Sequence, residues 1–168
     1  LLGWPDPGAA FTAAIQLGTL VAVFIYFWGD LVRAFTGWVK GLGDPKARRT
    51  DEWRLGWAIV VGTIPVVIAG VLFKDKIEND WRSLYVISAS LIGMGILLAV
   101  AEVYGKKFRD LRAVTVRDGL WVGLWQSVAL IPGSSRSGST ITGALMFGFD
   151  RPTAARFSFL LSVPSILA

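Results

Sequence analysis

Ile131-Pro132-Gly133-Ser134-Ser135-Arg136-Ser137-Gly138-Ser139-Thr140 is the stretch on which the reading of this chain turns. Five hydroxyl side chains and one arginine fall within ten residues. On either side lie apolar pieces at 119–131 and 141–149. A spanning helix needs roughly 20 apolar residues at ~1.5 Å each to cross a hydrocarbon core of about 30 Å. Neither flank is that long. Two short apolar pieces around a polar, glycine-rich tip predict a re-entrant helical hairpin over 119–149. Irregular backbone at membrane depth persists only where it is buried in protein or lines a cavity.

The chemistry of the tip favours an anion. A guanidinium offers a planar fork of donors that matches phosphate geometry. The hydroxyls of Ser134, Ser135, Ser137 and Thr140 add donors, and Gly133 and Gly138 let backbone amides come close. Capping of the second short helix by Ser139 or Thr140 is expected to aim its N-terminal amides at the tip. A solvated serine loop is the plain alternative. Trp121, Trp125, Leu130 and Ile141 leave little room for it. A nucleotide P-loop is excluded, because G-x-x-x-x-G-K-[ST] is absent and the tip holds no lysine.

Outward from the tip, the chain is membrane-like. It has 168 residues, 54% of them hydrophobic, and eight Trp. Apolar runs predict spans at 9–28, 55–73 and 83–104, and the start of a further span at 154–168. A polar loop is expected over 29–54. Pro65 is expected to kink the second span. Ala89 and Gly93 give the third a small-xxx-small pair for close helix contact. Asp150-Arg151-Pro152-Thr153 reads as a helix start. The fold class is thus an all-α integral membrane protein, a polytopic helical bundle in one domain over 1–168.

The net charge of +5 sits mostly in short loops, which points to a membrane orientation and not to nucleic acid. Arg33, Lys40, Lys46, Arg48, Arg49 and Arg54 crowd the first loop, and Lys106, Lys107, Arg109, Arg112 and Arg117 the third. The turn between them is balanced, so the first and third loops are expected in the cytoplasm. The chain has no cysteine and no histidine. Thiolate chemistry, the commonest general base and the commonest metal ligand are therefore missing. Asp6, Glu102 and Asp150 read as interfacial charges, not as a metal site. The first residue is not methionine and no basic leader precedes the first span, so the chain reads as a piece of something longer.

Pro132-Gly133-Ser134-Ser135-Arg136-Ser137-Gly138-Ser139-Thr140 resembles the second signature of the bacterial undecaprenyl-diphosphate phosphatases, the bacitracin-resistance family. The likeness runs upstream through Gln126 and Ala129 and downstream through Arg156-Phe157-Ser158-Phe159-Leu160-Leu161-Ser162-Val163-Pro164. Ala14 to Val23 looks like the family's first long helix. The resemblance implies six spanning helices and two re-entrant hairpins as inverted repeats. An internal echo fits, since Phe11-Thr12 and Gln16 parallel Phe157-Ser158 and Ser162.

The resemblance also implies hydrolysis of a C55 polyprenyl diphosphate in the bacterial plasma membrane, recycling the carrier for cell-wall synthesis. Arg136 and Ser135 are then the catalytic candidates. Gly133, Ser134, Ser137, Gly138 and Thr140 would bind phosphate, with Gln126 and Gln16 supporting them. A divalent cation, Mg2+ or Ca2+, is implied, with ligands in a Glu/Ser/His-rich first motif that this chain lacks. A homodimer is compatible with this reading. A transporter or flippase that binds a phosphate-bearing lipid without cleaving it is the rival, since transporters also use midplane tips and inverted repeats.

Overall fold

A computed structural model of the chain describes residues 8–167; for residues 8–14, 78 and 79 only the backbone course is described. Asp6 lies outside the described residues, as do the side chains of Phe11 and Thr12. Six helices follow one another: α1 (Gly8–Gly43), α2 (Asp51–Leu72), α3 (Leu84–Tyr104), α4 (Val116–Val128), α5 (Arg136–Met146) and α6 (Arg151–Leu167). Among the described residues there is no β-strand. Three helices, Ile15–Gly43 of α1 together with α2 and α3, are long and apolar enough to cross a membrane. The chain is an all-α membrane protein.

The expected boundary of the first span is corrected. The helix does not stop at residue 28 but continues to Gly43, with a local break at Phe27 (φ −101°, ψ 15°). Residues 29–43 of the expected loop continue α1 beyond its break at Phe27, while 44–50 form the connection to α2 as expected. In this continuation of α1 Ala34 is buried, and Asp30 is buried between Arg33 and Arg156 of α6. Gly37 and Gly41 lie where α1 presses on α2, Gly37 against Glu52 and Gly41 against Trp53. The second and third spans begin on caps. Thr50 Oγ1 accepts from the Trp53 amide at 3.3 Å, and Ser83 Oγ from that of Val86 at 3.2 Å. Pro65 sits inside an uninterrupted α2.

The tightest helix contact falls elsewhere than expected. Ala89 is exposed and a Cβ on Gly93 would meet open space. The close approach is between α2 and α4. A Cβ on Gly119 would stand 2.1 Å from the Ala58 carbonyl oxygen, and one on Gly123 the same distance from that of Gly62. Lipid is as apolar as leucine, so helices in it associate through close packing and polar links. Small residues at this seam let two backbones touch. The paired positions advance together along both helices, which makes α2 and α4 run in the same direction.

α4 and α5 pair as a short helical hairpin. The Trp121 indole donates to the Gly143 carbonyl at 3.1 Å, and a Cβ on Gly143 would strike the Trp125 side chain at 2.5 Å. At ~1.5 Å per residue, their 13 and 11 residues reach about 20 and 16 Å, short of a bilayer core. α2, α3 and α6 surround them. Leu145, Phe149, Phe157, Leu160 and Leu161 fill the space where these helices meet.

A clasp closes the open end of the hairpin. Arg109, counted in the sequence as a loop charge, donates to both oxygens of Asp118 at 2.8 and 2.7 Å. Its guanidinium also lies 4.4 Å from the Phe149 ring centre and donates to the carbonyls of Ala113 and Phe147. Asp118 completes a capping box with Thr115 at the start of α4. Glu102 receives Lys107 and Arg151, and the Asp150 carboxylate accepts from the Thr153 amide to cap α6. Asp150 thus starts α6 at Arg151, a little earlier than the apolar run alone suggests.

Candidate functional site: the tip of the short hairpin

The turn between α4 and α5 is held by its own backbone and by α3. The Ser134 amide donates to the Ile131 carbonyl at 3.0 Å, and Gly133 adopts φ +93°. That left-handed conformation suits glycine, and a Cβ there would lie 2.3 Å from the Ile87 carbonyl oxygen. Ser90 of α3 donates its hydroxyl to the Pro132 carbonyl at 2.6 Å. The turn is therefore pinned to α3 by a side-chain hydroxyl of α3 on a backbone carbonyl of the turn.

The N-cap of α5 is Ser135, not Ser139 or Thr140 as expected. Its Oγ accepts from the Gly138 amide at 3.2 Å and lies 3.3 Å from the Ser137 hydroxyl. Arg136, Ser137 and Gly138 thus belong to the first helical turn, whose amides carry the positive end of the helix dipole. Ser139 and Thr140, placed one turn further in, are buried. The Ser139 hydroxyl meets the Met94 sulfur at 3.3 Å. Thr140 directs its hydroxyl to the Arg136 carbonyl at 2.9 Å and to Ser158 of α6.

Arg136 reaches across to α1. Its Nη2 donates to Gln16 Oε1 at 3.3 Å, while Nη1 is buried with no hydrogen-bond partner among the described residues. Gln16 and Arg136 both line a cavity of about 170 Å³ between α1, α5 and α6. Gln16 and Thr19 line it from α1, Arg136 and Ser137 from α5, and Ser158, Phe159, Ser162 and Ile166 from α6. Buried donors without partners are expensive, and a buried guanidinium most of all. Such a group beside hydroxyls and a helix N-terminus is built to receive an anion.

Of the residues singled out in the sequence, Arg136, Ser137 and Gln16 meet at this cavity. Ser135 caps the helix beside it, Gly133 and Ser134 form the adjoining turn, and Gly138 supplies the capped amide. Thr140 faces α6 from within the core. Gln126 is fully buried on α4, with neither amide atom partnered among the described residues, and it does not line the cavity. Sequence reasoning passed over Ser90, Ser158 and Ser162 as site residues. Ser158 and Ser162 stand four apart on α6, hence on one face, and that spacing was the available signal. The α1–α6 echo has a counterpart here: Gln16 and Ser162 line the same cavity from opposite helices.

The fold and the tip define a helical membrane protein with a half-buried arginine at the tip of a short helical hairpin. The model of the family described as "Bacitracin resistance protein BacA" matches residues 1–168, and the chain belongs to that family. It is 53% identical over 175 aligned positions to an undecaprenyl-diphosphatase of Chlorobaculum tepidum, covering 100% of this chain and 62% of that protein. A Chlorobium phaeovibrioides protein of the same name is 51% identical with the same coverage. For one from Pseudarthrobacter chlorophenolicus the figures are 47%, 96% of this chain and 58% of the relative. The chain spans about three fifths of the length of these curated relatives.

Proposed function

We propose that the intact protein carrying this chain hydrolyses undecaprenyl diphosphate to undecaprenyl phosphate and phosphate, as the names of its relatives state for them. The observation that carries the proposal is Arg136: half-buried, bonded through Nη2 to Gln16, its Nη1 without a partner among the described residues, and lining a cavity together with Ser137, Ser158 and Ser162. Cleaving the phosphoanhydride spreads negative charge over the transferred phosphoryl group, and a fixed cation there lowers the barrier. Arg136 is assigned that role. Ser137 and the first-turn amides of α5 orient phosphoryl oxygens. Ser135 accepts from Gly138 and keeps its own proton to donate outward.

The reading includes a multi-pass protein of the bacterial inner membrane, with its basic loops in the cytoplasm and the α4–α5 hairpin re-entrant. It also includes a divalent cation, Mg2+ or Ca2+. Among the described residues no three acidic groups come close enough together to hold one, and the cavity's own charge is the Arg136 cation. These residues do not fit the ion, so no step is routed through it. The transport alternative finds no support in the names of the relatives. The test is phosphate release by the purified full-length protein from undecaprenyl diphosphate in detergent micelles. Turnover into undecaprenyl phosphate is expected. Binding of the lipid with no phosphate released refutes the proposal.

A further inference from the structure

α5 and α6 are linked by two buried hydroxyls. Thr140 is 1% exposed and Ser158 2%. Each hydroxyl carries one proton. Thr140 Oγ1 lies 2.9 Å from the Arg136 carbonyl oxygen and 3.2 Å from that of Ser137, and both are acceptors only. The Thr140 proton therefore goes to these carbonyls. The bond between Thr140 and Ser158 then takes its proton from Ser158. The relay runs in one direction, from Ser158 to Thr140 to the backbone of the first turn of α5. It ends on the carbonyl of Arg136, the residue whose side chain faces the cavity.

We propose that Ser158 is a positioning residue for Arg136, acting through Thr140 to fix the first turn of α5 against α6. The inference rests on the phosphatase reading above and names how that site is kept in register. Ser158 lines the cavity, yet its proton is committed inward to Thr140. That separates it from a nucleophile. On the α3 side the turn is held by Ser90 on Pro132; on the α6 side the Thr140–Ser158 bond is the polar link. In a site of low dielectric such a bond is strong, and losing one partner leaves the other unsatisfied. The consequence falls on geometry. A donor displaced by ~1 Å loses about a hundredfold in rate while substrate binding changes little.

The test uses the full-length protein and undecaprenyl diphosphate, with Ser158→Ala, Thr140→Val, Thr140→Ser, the Ser158→Ala/Thr140→Val double variant and Arg136→Ala side by side. Ser158→Ala and Thr140→Val are expected to lower kcat about 10- to 100-fold with KM within about threefold. Thr140→Ser keeps the hydroxyl and is expected to retain turnover. The double variant should be no slower than the worse single, because both break one relay. Unchanged kcat in either single variant overturns the inference. So do additive losses, or a Ser158→Ala variant as inactive as Arg136→Ala while Thr140→Val stays active, since that puts Ser158 on the substrate. Should Ser158→Ala fail to fold, the Thr140→Val and Thr140→Ser pair decides alone. Arg136→Ala separates the two claims: its full activity sinks the phosphatase reading, whereas its inactivity beside normal Ser158 and Thr140 variants sinks only this one.

Discussion

Removing the Asp118 carboxylate should unclasp the hairpin at the end opposite its tip. Asp118 is fully buried and accepts four hydrogen bonds: two from Arg109, one from the Thr115 amide at 2.7 Å and one from its hydroxyl at 2.8 Å. Asp118→Ala leaves the Arg109 guanidinium, only 19% exposed, without its counter-charge. Breaking a buried pair from one side costs ~3–5 kcal/mol. Arg109→Ala should cost a similar amount, so independent effects would sum to ~6–10 kcal/mol. The double variant Arg109→Met/Asp118→Leu removes both charges together. What it still loses is the pair of Thr115 bonds that completes the cap of α4, together ~1 kcal/mol, and the two Arg109 bonds to carbonyls, about 1 kcal/mol each. It should therefore lie near ~3 kcal/mol, far below the sum. The assay is reversible unfolding of the full-length protein in mixed SDS micelles, followed by tryptophan fluorescence. A single-variant cost under ~1 kcal/mol, or strict additivity, refutes the argument that this pair is a desolvated clasp.

Other outcomes follow from the packing and the tip. Gly123→Ala drives a methyl to 2.1 Å from a backbone oxygen of Gly62, and should cost ~1–3 kcal/mol or more in the same unfolding assay. Gly133→Ala forces a left-handed residue and a clash with Ile87, so ~1–2 kcal/mol of strain should appear together with a fall in kcat as the turn shifts. Ser135→Ala should lose about 1 kcal/mol of stability through the lost cap, and Ser135→Asp should restore most of it; equal stability of all three proteins would contradict the cap.

The parts legible in the sequence were those written in runs and caps. The third span is Leu84–Tyr104 because Ser83 caps an unbroken apolar stretch. The half-length pieces at 119–131 and 141–149 correspond to α4 and α5, each too short to span, although α5 begins inside the expected tip at Arg136. What stayed hidden depended on partners far along the chain. Asp30 and Arg33 look like solvent-facing charges until Arg156, 126 residues away, comes to Asp30. Gly37 and Gly41 look like helix breakers until Glu52 and Trp53 press on them. The cap of α5 was misplaced because Ser135, Ser137, Ser139 and Thr140 all suit an N-cap, and only the backbone chose among them. Ser158 was not assigned to the site because a serine within a helix ordinarily bonds to its own backbone.

The central claim is that Arg136 grips and stabilises the transferred phosphoryl group. Phosphate release from undecaprenyl diphosphate by full-length wild type, Arg136→Lys and Arg136→Ala measures it directly. Lysine keeps the charge and loses the fork, so Arg136→Lys should fall below wild type and Arg136→Ala below both, by ~10²-fold or more. Equal turnover by all three proteins would contradict the account.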